Sequence, residues 1–235
     1  MAITAVQAHR GSPDPASGIA ENTLEAFARA RRLGADGVEL DARLTADGTI
    51  AVHHDPEIPG LGPIADLRAD QLPAHVPSLA AALDACSGMI VNIEVKNFPS
   101  ESGFDADDHL ARDVAHLVAE SGRTSSVVVS SFWPQALTKV HDTRPDIPTG
   151  LLVAPWFDPA EIVPVALARS CTAVHPHATL VTGALVTEAR REGLSIATWT
   201  VNDRPQLERL IEFGVDTVIT DDVPLVLDTL GRRPF

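Results

Sequence analysis

The chain opens with a short apolar run, residues 3–8, that stops on His9-Arg10-Gly11. More short runs follow at 37–41, 50–54, 90–95, 126–130, 149–153, 173–175, 196–201 and 217–220. Runs of this length, rich in β-branched residues and bounded by turn residues, predict strands. Between them apolar residues recur at helical spacing over 22–33, 78–85, 107–120, 134–142, 159–168, 184–192, 204–212 and 224–230. In the first of these, Leu24, Phe27 and Ala28 share a face. Asn22 is its predicted N-cap, with Glu25 three residues on. Gly34, Gly122, Gly193 and Gly214 stand just past four of the helices, where a left-handed cap is wanted.

Strand followed by helix, repeated, implies a parallel sheet. About eight such units in 235 residues predict an α/β fold of the (β/α)8 TIM barrel kind, a single domain over residues 1–235. An open doubly wound sheet is the alternative. No G-x-G-x-x-G follows the first strand, which weakens the dinucleotide-binding form of that alternative. Residues 56–77 carry five prolines and break the alternation. They predict a short insertion after the second strand, lying on one rim.

A barrel of this kind places its chemistry at the C-terminal ends of the strands. Polar residues gather where the strands end: His9-Arg10, Glu39 and Asp41, His53-His54-Asp55, Glu94 and Lys96, Ser130-Ser131-Phe132, Trp199 to Asn202, and Asp221-Asp222. Residues two apart on a strand share a face, so Glu39 pairs with Asp41 and Glu94 with Lys96. Like charges packed this closely are costly without a cation among them. One reading is salt bridging to Arg43 or Lys96. The other is a hard, oxygen-preferring divalent ion on Glu39, Asp41 and Glu94: Mg²⁺, Ca²⁺ or Mn²⁺. Glu94 favours the ion, because a carboxylate inside the apolar run MIVNIEV needs a strong partner. Arg10 and Lys96 suit a phosphate, the first as a planar fork and the second as a point charge. His9 and one of His53 and His54 could exchange protons near neutral pH. His53 and His54 point to opposite faces as strand neighbours, so only one of them faces the site.

Other polar residues have simpler roles. Asn22 is first a helix cap, and Asp221 and Asp222 read as caps before Val223-Pro224. Phe132 reads as packing, and His175 and His177 as solvated loop histidines.

Net charge is −14, which argues against nucleic acid or an anionic membrane as partner but permits a small anionic substrate in a locally basic pocket. Cys86 and Cys171 have no metal-like spacing. Neither a basic leader nor a run of eighteen apolar residues is visible, so the expectation is a cytoplasmic protein without a transmembrane segment. Oligomeric state is not readable.

The series HRG, ENTLEAF, GADGVELD, LTADGTIAVHHD, NIEVK, SSF, TWTVND and ITDDVP resembles the glycerophosphodiester phosphodiesterase family, in the family's order from residue 5 to about 225. The resemblance implies a barrel of the phospholipase C-like phosphodiesterase type. It implies metal-dependent hydrolysis of glycerophosphodiesters to an alcohol and glycerol 3-phosphate. By position it makes Glu39, Asp41 and Glu94 the metal ligands and His9 and His54 the acid/base pair. His54 is preferred to His53 because it directly precedes the aspartate. Arg10, Glu21, Lys96 and Trp199 become substrate-binding residues. Ala20 replaces the family's usual proline before ENT, and 56–77 is shorter than the family's cap and lacks its Arg-Thr-Thr-like stretch. Two alternatives stay open: a phospholipase D-like hydrolase or lyase acting on lysophospholipids with the same site, and a catalytically silent binding barrel.

Overall fold

The structure, a computed structural model, describes residues 4–232. Ile3, at the head of the first predicted strand, lies outside them. The strands in chain order are β1 (Ala5–Ala8), β2 (Gly37–Leu44), β3 (Ile50–Val52), β4 (Glu57–Ile58), β5 (Gly62–Pro63), β6 (Ile90–Val95), β7 (Val127–Ser131), β8 (Thr149–Val153), β9 (Ala173–Pro176), β10 (Ser195–Thr198) and β11 (Thr217–Thr220). The helices are α1 (Leu24–Leu33), α2 (Leu79–Ala85), α3 (His109–Glu120), α4 (Pro134–Thr143), α5 (Ile162–Ala168), α6 (Gly183–Arg191), α7 (Arg204–Phe213) and α8 (Val223–Thr229).

Strands β1, β2 and β6 to β11 pair in parallel, and β1 closes the ring by pairing with both β11 and β2. The result is a closed eight-stranded (β/α)8 barrel, as the alternation of elements predicts. β3 is the exception among the predicted strands: it pairs antiparallel with the far end of β2 and stands outside the ring. Both faces of a parallel barrel strand are covered. All of β2 but its last residue is accordingly buried. Val38, Leu40 and Ala42 join the apolar layer between strands and helices, with Phe27, Leu79, Leu83 and Val114 among their neighbours in it. Glu39, Asp41 and Arg43 take the other face.

Residues 56–77 form the β4–β5 hairpin and two short 3₁₀ turns. Ile58, Ile64 and Leu67 build a small apolar cluster there with Ala51, flanked by Leu72 and Val76. Among the described residues no helix is long and apolar enough to cross a membrane.

Several ends differ from expectation. Helix α1 begins one residue later, because Thr23 rather than Asn22 caps it, accepting from the Ala26 amide. Asn22 instead sits in the left-handed region at φ 56°, which asparagine tolerates better than most residues. β10 stops at Thr198, so Trp199 and Asn202 stand on the loop after it.

Candidate active site

The first strand ends in a conformation that few sequences could supply. Arg10 has φ 52° and Gly11 φ 79°. A β-carbon on Gly11 would lie 2.9 Å from the β-carbon of Ala26 and 3.0 Å from the Phe27 ring. The glycine of HRG therefore serves a sharp turn tight against α1. That turn aims the Arg10 amide at Glu39 Oε2, 2.9 Å away, and leaves the Arg10 side chain over the barrel mouth.

One pocket at this mouth is lined by His9, Arg10, Glu39, His54, Glu94, Lys96 and Trp199 among the predicted residues. Asp41 lies beneath it, 1% exposed. Glu39, Asp41 and Glu94 each bring an oxygen within 4.8 Å of the others. Lys96 Nζ is 2.9 Å from Glu94 Oε1 and 3.6 Å from Asp41 Oδ1, and Arg10 Nε is 3.6 Å from Asp41 Oδ2. Glu21 stands further out, paired to Arg10 Nη1 at 2.9 Å and about half exposed.

These contacts divide the three carboxyls. Burial alone would raise Asp41, but Lys96, His54, Arg10 and the Asn22 amide outweigh it and hold that carboxyl below its ordinary value. Glu94 is raised by burial, only partly relieved by Lys96. Glu39 is pushed up to about 8 by burial and then by Asp41 beside it, with His9 and the Arg10 amide giving only partial relief. The two cations thus satisfy Asp41 and Glu94 and leave Glu39 short of positive charge. Three converging hard oxygens, one of them only partly compensated, fit a divalent cation.

The two histidines differ in the same way. Burial depresses His9, but a 2.7 Å contact from its Nδ1 to Asp221 Oδ1, together with Glu39, reverses this and raises it. His54 is lowered, by burial and then by Lys96, against the pull of Asp41 and Asp55. His53 turns away and holds the Asp55 carbonyl at 3.0 Å.

Some expectations need correction. Asp222 does cap α8, accepting from Leu225, but Asp221 belongs to the site: Asn202 donates to its other oxygen at 2.6 Å, leaving the first for His9. Asn22, read as a cap, donates to Asp41 Oδ2 at 2.8 Å and accepts from the Asp41 amide. His175, read as a loop residue, is 3% exposed inside the barrel. Its ring fills the space over Gly150, where a β-carbon would come within 2.5 Å of Nε2, and burial lowers it to about 4. Phe132 lines the pocket, set edge-on to Trp199 at 5.4 Å. Ser130 lines the pocket from the strand end where polar residues gather, whereas Asn92 was not anticipated on its wall. Both are buried, with side-chain atoms that have no hydrogen-bond partner among the described residues. The position of Asn92, two residues before Glu94, was the available signal, through period-two alternation.

Buried anions balanced against buried cations at the open end of a barrel define an enzyme acting on a small anionic molecule. Comparison with known proteins narrows that class. The sequence profile of the glycerophosphoryl diester phosphodiesterase family matches residues 9–225, and the chain belongs to this family of phosphodiester hydrolases. It is 31% identical to the glycerophosphodiester phosphodiesterase of Caldanaerobacter subterraneus subsp. tengcongensis, over 98% of both chains. The structure of the Thermotoga maritima glycerophosphodiester phosphodiesterase is similar with a TM-score of 0.75 at 27% identity, covering 96% of this chain and 97% of that one. A phosphodiesterase of Oleispira antarctica, solved in complex with the product sn-glycerol-3-phosphate, shares the fold with a TM-score of 0.84 at 23% identity and 97% coverage of each chain.

Proposed function

We propose that the protein hydrolyses glycerophosphodiesters to an alcohol and glycerol 3-phosphate, with a divalent ion on Glu39, Asp41 and Glu94 and with His9 and His54 as proton carriers. The observation that carries this is the convergence of three carboxylates within 4.8 Å under Arg10 and Lys96, with a histidine on either side. The ion, Mg²⁺ or Ca²⁺ with Mn²⁺ as a further candidate, supplies charge neutralisation at the phosphoryl oxygens. Arg10 and Lys96 meet the remaining oxygens, where charge grows as the phosphorus centre expands. His54, lowered and so neutral near pH 7, takes the proton of the attacking water, whose oxygen bonds to phosphorus as the alkoxide leaves. His9, raised by its pairing with Asp221, is the better placed of the two to give a proton to the leaving alkoxide. Opposed shifts in a pair of titratable groups are the basis of this assignment. Phe132, Leu152, Trp199 and Ile219 form the apolar side of the pocket. This side favours a second reading in which the alcohol carries an acyl chain, as in a lysophospholipid.

The test is glycerol 3-phosphate release from glycerophosphocholine with Mg²⁺, Ca²⁺ or Mn²⁺, against a chelated control and His54→Ala. Metal-dependent release, lost in the variant, is expected. Release that persists in chelator would overturn the metal reading. Turnover of lysophosphatidylcholine alone would favour the second one.

A further inference from the structure

One buried cation near the site is used by no step above. Arg43 follows Asp41 by two residues on the same face of β2 and is 5% exposed. Its Nε donates to the His54 carbonyl at 2.8 Å and Nη2 to the same oxygen at 2.5 Å. Nη1 donates to Glu101 Oε2 at 3.0 Å. A buried guanidinium spent on a carbonyl and one carboxylate is an expensive way to fill space, since apolar residues of similar volume do it as well or better. The carbonyl it grips explains the expense.

His54 has little else to hold it. It lies past the end of β3, and its ring partner is the neighbouring Asp55 at 2.7 Å, itself largely exposed. The ring's place therefore depends on the backbone at residues 53–55. Two groups fix that backbone from β2: the Asp41 carbonyl, which accepts from the His53 amide at 3.0 Å, and the Arg43 fork. Glu101 belongs to the loop after β6, which also touches the insertion. Ser102 Oγ donates to Glu57 at 3.2 Å, and a β-carbon on Gly103 would lie 2.5 Å from that of Ala65.

We infer that Arg43 is a positioning residue that sets the backbone of His54 and ties it, through Glu101, to the loop after β6 and the insertion. The inference rests on the proposed role of His54. Lysine at 43 keeps the charge but presents a compact ammonium in place of the planar fork whose three nitrogens reach the carbonyl and Glu101 together.

The test uses the full chain and compares Arg43→Lys, Glu101→Gln and His54→Ala. It measures kcat and KM for glycerophosphocholine, the Mg²⁺ Kd by calorimetry, and the histidine ring signals by NMR. Arg43→Lys is expected to lower kcat roughly ten- to hundredfold, since a misplacement near 1 Å can cost that much. KM and the Mg²⁺ Kd should stay within about twofold, and the His54 signal should move while that of His9 stays. In a His54→Ala background the same change should cost no further kcat, because the two act as one unit. Unchanged kcat with only a lowered thermal midpoint would overturn the inference. So would parallel losses in kcat and Mg²⁺ affinity, which would place the effect on Asp41. If Arg43→Lys does not fold, Glu101→Gln decides: kcat falling roughly threefold or more at constant KM supports the inference, and unchanged kcat refutes it. Retained turnover in His54→Ala alone would instead refute the proposed function and leave the Arg43 contacts without a catalytic object.

Discussion

His9 and His54 share a mouth of the barrel but not an electrostatic environment. Asp221 and Glu39 raise His9 against burial and Arg10, whereas burial, Lys96 and Arg10 lower His54 against Asp41 and Asp55. On the proposed assignment the general base, His54, must be neutral to act, so activity is expected to rise as pH passes its pKa, below 6.5. The general acid must be protonated, so activity falls as pH passes that of His9, above 6.5. A bell-shaped kcat/KM profile is expected, and a single acid limb would reject the assignment. Asp221→Asn removes the anion that raises His9 while keeping the shape. It should draw the alkaline limb toward lower pH and reduce kcat/KM by roughly ten- to a thousandfold, no more than general acid catalysis contributes. An alkaline limb that stays in place would mean that another group supplies the acid.

At the scale of elements, the barrel was legible because short apolar runs and helical patterns alternate along the chain, broken only at residues 56–77, and most strand ends carry the polar residues a catalytic rim demands. The acidic triad was legible for the same reason, since Glu39 and Asp41 must share a face. Asn22, Asp221 and His175 were misread because a local signal competed with a tertiary one. Asn22 looks like a cap from its neighbours alone; its bond to Asp41, nineteen residues away, becomes visible only when β1 and β2 lie side by side. Asp221 and His9 are 212 residues apart and meet because β11 closes on β1. His175 needed knowledge of Gly150 on the neighbouring strand. The turn after β1 shows how one element serves the site. Gly11→Ala would force a β-carbon into α1 at positive φ, costing about 1–3 kcal/mol of stability from the backbone conformation alone. It should also displace the Arg10 amide from Glu39 and weaken metal binding. Denaturant unfolding with calorimetric Mg²⁺ titration checks both, and a destabilised variant with unchanged affinity would separate the turn from the site.

The whole molecule should report the metal through its stability. In the metal-free protein Glu39 holds a proton up to about pH 8, whereas the unfolded chain releases it near 4.5. The folded state therefore binds more protons across that window, and metal-free stability declines as pH rises through it. A divalent ion must displace that proton. Its apparent affinity accordingly climbs with pH, by at most about tenfold per unit, and levels off near pH 8. At a hundredfold excess over Kd the bound ion stabilises by about 2.7 kcal/mol. For a chain of this length that corresponds to a rise in Tm of roughly 5–10 °C. Thermal melts with Mg²⁺ or chelator should therefore show a gap that widens from pH 6 to pH 8. Glu39→Gln removes the buried charge that its neighbours only partly relieve. It should abolish the gap, and at pH 8 and above its metal-free form should melt higher than the metal-free wild type. A gap independent of pH would mean that Glu39 is already ionised without metal, and that the positive charge it lacks is supplied from within the chain.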